Sequence, residues 1–503
     1  MLTLYLVVGV ASAYLIYNVL LEPLYLSPLS RIPGPKLYAL TKWRLAFDDW
    51  RGVRTITIDR LHLKYGPAIR VGPSEVHFNS LAALQKIYGA GSGFERTTFY
   101  RMFDVYGHQN LFTFHSSKQH GDRKKLLANA YSKSTMMKPA VAAMVERKTE
   151  QYLRLVEEYG EAPNDLFKTL HYFSIDSITN FLYGRRNGGT SALTGNGTDR
   201  ALLIDIFDPA RRKLSWFATH APSLTKWLYT RVNLAEALVR PMLPMQKPST
   251  YTGIRAHALQ AFHRSRNAAD KSAGGEQTVI SELFKHTNLQ DLDVASECAD
   301  HLLAGIDTTA DTLMFMFWAL SLPKHKLIQQ RLVTEVKDMQ LTSDGSTTNL
   351  VEASDKLPYL DAVIKESLRL YAPLPASEPR RLPMRDTEID GYTVPAGTVV
   401  AMAPYSLHRN SEVFESPLEF RPERWLEPDV SAQNRWFWAF SSGGRMCIGK
   451  HLAMAEMTSL YRTAIAPGFE GKSPAITSRV EVFFDLTQPS FAEHECPIVF
   501  KKQ

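Results

Sequence analysis

The 503-residue chain contains very little cysteine, with only Cys298, Cys447 and Cys496. Three cysteines are too few for a disulfide framework, so we expect the folded part to work in a reducing compartment. The net charge of +7 is modest, and no basic run with interleaved aromatics occurs. We therefore expect no nucleic-acid partner. Internal repeats and long low-complexity tracts are also missing, and no shift in composition divides the chain, which favours one large domain.

Charged side chains are absent from residues 1–21, and this segment is long enough to span a bilayer. No positive n-region precedes the apolar run, which argues against a cleaved signal peptide. Basic residues gather directly afterwards: Arg31, Lys36, Lys42 and Arg44. We predict a transmembrane anchor over 1–21, a proline-rich hinge over 22–44 around Pro33-Gly34-Pro35, and a cytosolic domain over 45–503. The alternative for the first segment is a buried core helix, which its terminal position disfavours.

The most informative pattern surrounds Cys447, in the stretch Phe440-Ser-Ser-Gly443-Gly-Arg445-Met-Cys447-Ile-Gly449. A lone cysteine between glycines, two residues after an arginine, suits a thiolate that binds haem iron. The glycines let the backbone approach a flat macrocycle and leave amide groups free to hydrogen-bond the sulfur. Arg445 can pair with a haem propionate. A buried structural cysteine is the simpler alternative, but five positions at fixed spacing disfavour it.

A second pattern lies in a long predicted helix that runs from about Asp293 to Leu322 and is closed by Pro323. It contains Ala304-Gly-Ile-Asp307-Thr308-Thr309, although glycine costs about 1 kcal/mol relative to alanine in a helix and threonine is a poor helix former. Such departures from local preference tend to mark function. We expect Gly305 to give a ligand room and a threonine hydroxyl to bond back to a carbonyl. A kinked structural helix is the alternative.

These motifs resemble those of the cytochrome P450 family, the haem-thiolate monooxygenases, over essentially the whole chain. Two more motifs follow in the family's order, Glu366-Ser-Leu-Arg369 and Phe420-Arg-Pro-Glu-Arg424-Trp. The resemblance implies a mainly α fold with small β-sheets, in which the haem lies between the long oxygen-activation helix and the Cys-ligand loop. It also implies a heme b cofactor (iron-protoporphyrin IX) that has Cys447 as its axial ligand and contacts the loop residues Phe440, Gly443 and Gly449.

The resemblance implies roles for the other motif residues. Thr308 would hold bound dioxygen and its proton-bearing water, and Asp307 would feed protons from solvent. Glu366, Arg369 and Arg424 would form a buried structural network, in which the loss of one member typically costs about 3–5 kcal/mol.

Further basic residues are expected at the haem propionates. Arg380 meets a propionate by resemblance, with Arg381 as its rival because the register is uncertain by one residue. His120 and Lys124 stand where many family members carry a tryptophan and an arginine. Both can donate to a carboxylate, although lysine binds as a point charge and not as a fork. A solvated helix face is the alternative for this pair.

Five residues are expected to line the substrate pocket. Helical spacing places Asp300 on the same face as Ala304, and Leu303 one turn before Asp307. By resemblance, Ala376 and Ser377 also face the pocket. Asp300 is a candidate partner for a polar group on the substrate, and a buried structural hydrogen bond is the alternative.

The leading hypothesis is a monooxygenase that inserts one atom of dioxygen into an apolar small molecule. The resemblance implies electrons from NADPH through NADPH–cytochrome P450 reductase, cytochrome b5 as a further candidate partner, and a single-pass location in the endoplasmic reticulum membrane. The segment Ala130–Ser134 and the motif at Ala304–Thr309 resemble fungal enzymes of natural-product pathways, which favours a terpenoid, polyketide or alkaloid intermediate, with detoxification left open. A haem-thiolate isomerase or dehydratase and a gas sensor are disfavoured by the intact Asp307-Thr308 pair.

Overall fold

A computed structural model describes residues 2–207, 215–230, 234, 237–238, 252–269, 277–342, 356–382, 384–465, 470–472 and 495–501. The predicted fold class is confirmed, because helices dominate these ranges and the sheets are small. The α-helices of eight or more residues are Leu2–Ile16, Trp43–Trp50, Arg54–Tyr65, Leu81–Tyr88, Ser117–Leu127, Pro139–Tyr159, Leu166–Asn187, Pro222–Thr230, Thr252–Ala269, Asp291–Ser321, Lys326–Thr342, Pro358–Leu370 and Lys450–Ile465.

Shorter helices connect these elements. The short α-helices are Lys36–Leu40, Lys133–Met136, Gly197–Ala201, Ile204–Phe207, Ser215–His220, Val279–Leu283, Pro404–Leu407 and Ser431–Trp436. The 3-10 helices are Pro28–Arg31, Thr98–Phe103, Pro323–His325, Pro422–Trp425 and Gly443–Arg445, and Tyr17–Leu26 is a π-helix.

Within the described ranges, ten strands form three small sheets. They are β1 Ala68–Gly72, β2 Glu75–Phe78, β3 Glu95–Arg96, β4 Asn164–Asp165, β5 Arg380–Arg381, β6 Thr387–Ile389, β7 Tyr392–Val394, β8 Val399–Ala401, β9 Glu470–Lys472 and β10 Pro497–Lys501. The largest sheet has the order β1-β2-β8-β5-β3, and the others are β4-β10-β9 and β6-β7. The predicted hairpin at Ala68–Val71 is present as the antiparallel pair β1 and β2. The largest sheet pairs β2 with β8, which lie some 300 residues apart in sequence.

The helix Asp291–Ser321, called the central helix from here on, crosses the middle of the molecule. Its first turn is held by reciprocal hydrogen bonds between Gln290 and Asp293, and Pro323 stops it just beyond its last residue. It packs along the helix Leu166–Asn187, and buried side chains of both belong to the two largest hydrophobic clusters. Since most of its length is buried, the central helix is a rigid wall on which a site can be placed.

The N-terminal apolar segment stands apart from this core. Thr3–Leu26 is long and apolar enough to cross a membrane, with a mean hydropathy of 2.0 and no burial in its most apolar window. The helix therefore continues five residues beyond the predicted boundary at residue 21. Immediately after it, Leu29 and Ile32 are buried against the strands of the largest sheet. The segment predicted as a hinge thus contributes side chains to the hydrophobic core.

Candidate active site

A cavity of about 290 Å³ separates the central helix from the loop that carries Cys447. Ala304 and Thr308 line it from the helix, and Phe440 and Cys447 line it from the loop. Most of the remaining wall is apolar, including Phe99, Phe103, Leu111, Phe112, Ile178, Leu368, Leu374, Ala376, Leu452 and Met457. The two strongest sequence motifs, more than 130 residues apart in the chain, therefore face each other across one apolar space.

The Cys447 side chain is exposed and lines this cavity. The Cys447 amide donates to the Phe440 carbonyl at 2.9 Å, which closes the loop. Gly443 has a φ of +61°, and a Cβ at this position would collide with the Tyr88 carbonyl. Burial raises the pKa of the Cys447 thiol, while hydrogen bonds from the amides of Gly449 and Lys450 act in the opposite direction. The loop geometry thus requires glycine and directs amide groups at the sulfur.

The faces of the central helix divide the predicted residues into two groups. Asp300, Ala304 and Thr308 follow each other at one-turn spacing and all line the cavity. Leu303 is not among the residues that line the cavity, and its side chain packs against a hydrophobic cluster. Asp307, one turn after Leu303, is also turned away from the cavity and lies with its Oδ1 3.7 Å from His171 Nε2.

The Thr308 hydroxyl donates to the carbonyl of Ala304 at 2.8 Å, and Thr312 donates to the carbonyl of Thr308 at 2.7 Å. These bonds back along the helix are those expected of a threonine in a helix interior. Gly305 has a packing role beside its place in the cavity wall, because a Cβ there would lie 2.6 Å from Ile178 Cγ1. The close approach of Leu166–Asn187 to the central helix therefore requires glycine at this position.

One end of the cavity carries an excess of positive charge. Arg96, His120 and Arg445 line it together. Burial, reinforced by neighbouring cations, lowers the pKa of Arg96 to about 10, that of His120 to about 3 and that of Arg445 to about 9. Among the described residues, the Nε atoms of Arg96 and Arg445 are buried without a hydrogen-bond partner. This end of the cavity is therefore suited to bind an anion.

Arg380 and Lys124 surround the same region without lining the cavity. Arg380 is buried and donates to the Tyr100 hydroxyl at 2.7 Å and to Glu378 at 3.0 Å, whereas Arg381 is exposed on the other face of β5. The structure thus favours Arg380 over its rival. Lys124 Nζ donates to the carbonyls of Gly444 at 2.9 Å and Met446 at 2.7 Å. Its ammonium group braces the outside of the Cys447 loop.

Glu366, Arg369 and Arg424 form one fully buried cluster behind the cavity. Glu366 accepts two hydrogen bonds from Arg369, at 2.9 and 2.8 Å, and one from Arg424 Nε at 3.1 Å. Trp425 Nε1 also donates to Glu366 at 2.9 Å. The remaining donors of the two arginines bind backbone carbonyls of the segment 408–419. Because each charge is paired, the cluster can hold the segment 408–425 against the helix Pro358–Leu370.

Sequence reasoning missed a polar cluster around Asp300. Burial raises the pKa of Asp300 to about 7. The carboxylate of Glu297 and the ring of His301 lie close to it, but Glu297 is already paired with Arg123 at 2.6 Å. His301 Nδ1 is 2.8 Å from the Tyr131 hydroxyl. Asp300 is thus the acid of this group that faces the cavity.

Glu456 was also missed, although it is the single acid in the apolar run Leu452–Met457 that follows the Cys447 loop. It lines the cavity, and the hydroxyls of Thr309 and Ser177 lie near its carboxyl group. Burial raises the pKa of Glu456 to about 8. The raised pKa favours the neutral form of this carboxyl group near neutral pH.

Comparison with known proteins identifies this arrangement. The family model of cytochrome P450 matches residues 55–466, most of the chain. The chain belongs to the cytochrome P450 family. Its P450 relatives include the monooxygenase stcB of Emericella nidulans, 31% identical over 441 residues, covering 86% of this chain and 80% of the relative. The monooxygenase cypX of Dothistroma septosporum is 28% identical over 473 residues, covering 92% and 88% of the two chains.

Solved P450 structures share the fold. The retinoic acid-bound cyanobacterial CYP120A1 has a TM-score of 0.67 at 19% identity, covering 88% of this chain and 93% of that one. The haem domain of cytochrome P450DA has a TM-score of 0.70 at 15% identity, covering 90% and 94%. The family and the named relatives establish the enzyme as a P450 monooxygenase.

P450 enzymes carry a haem iron, and the residues of this cavity fit such a group. The Cys447 sulfur offers a soft anionic ligand, and the glycine-rich loop beside it leaves the space for a flat ring. The buried, unpartnered Nε atoms of Arg96 and Arg445 match the carboxylates that a haem bears on one edge. In this P450, Arg96 was not predicted from the sequence, because Glu95-Arg96-Thr97 has no local feature that distinguishes it from a surface turn.

Proposed function

We propose that this P450 monooxygenase holds heme b in the cavity between the central helix and Cys447 and oxygenates an apolar small molecule. The position of Cys447 opposite Ala304 and Thr308 across one apolar cavity carries the proposal. A thiolate-bound haem iron supplies the activation of dioxygen and the transfer of one oxygen atom. The protein's own residues have to hold the cofactor, orient the substrate and deliver protons.

In this proposal, Arg96, His120 and Arg445 bind the two carboxylates of the porphyrin. The unpartnered Nε atoms of Arg96 and Arg445 can donate to a carboxylate, and such pairing offsets the burial and the neighbouring cations that lower the pKa of each of these groups. Arg380 supports them from behind through the Tyr100 hydroxyl. Lys124 keeps the Cys447 loop in place through two backbone carbonyls.

Thr308 and Asp307 divide the handling of protons between two sides of the helix. The Thr308 proton is engaged with the Ala304 carbonyl, so its oxygen presents lone pairs to a water or substrate group in the cavity. Asp307 is buried beside His171, behind the cavity wall. We assign Asp307 to receive protons on that side and Thr308 to hold a proton-bearing water on the cavity side.

We further propose that the substrate is an intermediate of a fungal natural-product pathway, a terpenoid, polyketide or alkaloid. Relatives of this chain occur in several fungi, among them Aspergillus parasiticus, whose monooxygenase aflV is 29% identical over 460 residues, covering 89% of this chain and 87% of the relative. The cavity wall supports an apolar substrate, because Phe99, Phe103 and Phe112 line it.

NADPH–cytochrome P450 reductase is the proposed electron donor, with cytochrome b5 as a second donor. Basic side chains are exposed at Lys118 and Lys125, on the same helix as Lys124, whose ammonium group contacts the Cys447 loop. They suit an acidic partner, whose docking would be fast and sensitive to salt. The exposed apolar helix Thr3–Leu26 supports a single-pass anchor in the endoplasmic reticulum membrane, with the catalytic domain on the cytosolic side.

The deciding experiment is the substitution Cys447→Ser in the full chain. The wild-type protein is expected to show the carbon monoxide spectrum of a thiolate-bound haem, and the variant is expected to lose that spectrum. Cys496→Ala is the matched control, because Cys496 is buried away from the cavity and should leave the spectrum intact. A thiolate spectrum that persists in Cys447→Ser would refute the ligand assignment.

Turnover distinguishes the monooxygenase from an isomerase. Microsomes that contain the enzyme and a reductase are fed candidate pathway intermediates with and without NADPH. Product that contains one atom of labelled dioxygen and requires NADPH supports the proposal. Product formed equally well without NADPH would instead indicate a rearrangement that needs no external electrons.

A further inference from the structure

Three polar side chains form a hydrogen-bonded row that runs from the helix Arg54–Tyr65 to the cavity. His62 Nδ1 lies 2.9 Å from the Gly66 carbonyl oxygen, and His62 Nε2 lies 2.8 Å from His77 Nδ1. His77 Nε2 lies 3.0 Å from Ser377 Oγ. Both imidazoles are buried, and Ser377 lines the cavity. The row therefore ends on a hydroxyl group in the cavity wall.

The Gly66 carbonyl fixes the direction of every hydrogen bond in this row. A carbonyl oxygen only accepts, so His62 Nδ1 carries the proton. Both rings are neutral, because burial lowers the pKa of His62 to about 4 and that of His77 well below its ordinary value. A neutral imidazole has one N–H and one bare nitrogen. His62 Nε2 consequently accepts from His77 Nδ1.

The same reasoning applies to the last bond of the row. His77 carries its proton on Nδ1, so its Nε2 is a bare acceptor, and the Ser377 hydroxyl has to donate to it. The Ser377 proton is thereby committed to the protein interior. Ser377 Oγ can offer only lone pairs to the cavity, whereas a serine without such a partner can rotate and donate as well.

We propose that Ser377 is a specificity-determining hydrogen-bond acceptor and that the substrate presents a hydroxyl or N–H group to it. A substrate with an ether or a ketone at this point would leave the Ser377 oxygen unpaired in an apolar wall, which weakens binding. His77 acts through Ser377 and is a positioning residue, as is His62. The inference rests on the proposed function, since it names the class of substrate for the same cavity.

The test compares apolar ring alcohols with their methyl ethers, which differ in the hydrogen-bond donor. A panel of such pairs, beginning with 1-adamantanol and 1-methoxyadamantane, is titrated into the holoenzyme by calorimetry. The wild-type enzyme is expected to prefer the alcohol by about tenfold in Kd, the size of one net hydrogen bond. In Ser377→Ala the ratio of the two Kd values should fall to about one, while Ser377→Thr should retain the preference. An unchanged ratio in Ser377→Ala, or no alcohol preference anywhere in the wild-type panel, overturns the inference.

His77→Leu gives a second readout that a merely structural role would not produce. Without its acceptor, the Ser377 hydroxyl is free to donate, so the preference should shift towards the matching ketone, 2-adamantanone. The haem spectrum of each variant reports whether the site is intact, and Ser377→Ala alone decides the matter if His77→Leu does not fold. Failure of the proposed function would be seen separately, as a wild-type protein without a thiolate-type spectrum.

Discussion

Asp307 Oδ1 lies 3.7 Å from His171 Nε2, on the face of the central helix that is turned away from the cavity. Thr308, the next residue, faces the cavity. Asp307 and Thr308 are therefore adjacent in sequence, but only Thr308 faces the cavity, whereas Asp307 lies beside His171 behind the cavity wall. Such an arrangement suits delivery of protons through the wall and makes the two residues separable by mutation.

Asp307→Asn is expected to lower product formation by at least about 100-fold, because proton transfer by a positioned side chain contributes about 10²–10⁴-fold. The haem spectrum should remain, since Asp307 does not line the cavity. The measurement is the rate of product formation at saturating NADPH. Asp311→Asn is the matched control, because Asp311 is a buried acid one turn further along the same helix face. Equal losses in the two variants would show that Asp307 has only a structural role.

Glu456 is expected to make stability depend on pH. Its pKa is raised to about 8 in the folded protein, above its ordinary value of 4.5, so the folded state binds more protons than the unfolded state between these values. Stability from this group is then fully present below pH 4.5 and is lost as the pH rises towards 8. Glu456→Gln should flatten the curve of unfolding free energy against pH between 5 and 8.5 in urea titrations.

A control for the Glu456 prediction is Asp300→Asn. Asp300 also has a raised pKa, of about 7, so its removal should flatten the same curve at a lower pH. Two effects that add would identify two independent groups. A Glu456→Gln protein with the wild-type pH dependence would show that the Glu456 carboxyl is ionised in the folded state.

Gly305→Ala is expected to destabilise the protein by about 1–3 kcal/mol, the usual cost of overpacking a buried contact. The new Cβ would lie 2.6 Å from Ile178 Cγ1 and force the two helices apart. Ile178→Ala should restore part of the loss in the double variant. Gly121→Ala is the matched control, since a Cβ there meets nothing within 4 Å, and it should be neutral or stabilising. Thermal unfolding is compared for the wild type, Gly305→Ala, the double variant and Gly121→Ala. The comparison decides whether Gly305 is required for helix packing or for ligand access.

Glu366→Gln should destabilise the protein by about 3–5 kcal/mol, because two buried arginines lose the charge that compensates them. Lys365→Ala, at the partly exposed neighbouring position, should cost less than about 1 kcal/mol. Urea unfolding compares the two. A Glu366→Gln protein as stable as Lys365→Ala would mean that the cluster sets the shape of the cavity without stabilising the fold.

Much of the fold and part of the site could be predicted from local sequence. The central helix runs over Asp291–Ser321, within two residues of the predicted bounds, because its capping residues and Pro323 are local signals. The motif around Cys447 was equally clear, because its residues stand close together in the sequence and Gly443 has a positive φ that favours glycine. The resemblance to the family could be recognised because these local motifs occur in the family's order along the chain.

Features that depend on distant segments were not predictable in this way. Arg96 on β3 and Arg445 in the Cys447 loop line the same cavity only after distant segments of the chain pack, and Glu456 comes near Thr309 only after two helices pack. Leu303 and Asp307 lie on the helix row next to that of Asp300, Ala304 and Thr308, and neighbouring one-turn rows diverge by about 100°. The link from His62 to Ser377 spans 315 residues and leaves no mark in either segment.

The short segment after the apolar N-terminal helix has a mechanical consequence. Arg70, buried on β1, donates to the Pro23 carbonyl at 2.5 Å and to the Pro73 carbonyl at 2.6 Å. The end of that helix is therefore clamped to the largest sheet. If the helix is inserted in a bilayer, its tilt determines which side of the enzyme faces the lipid surface, because Arg70 fixes the end of the helix to the sheet.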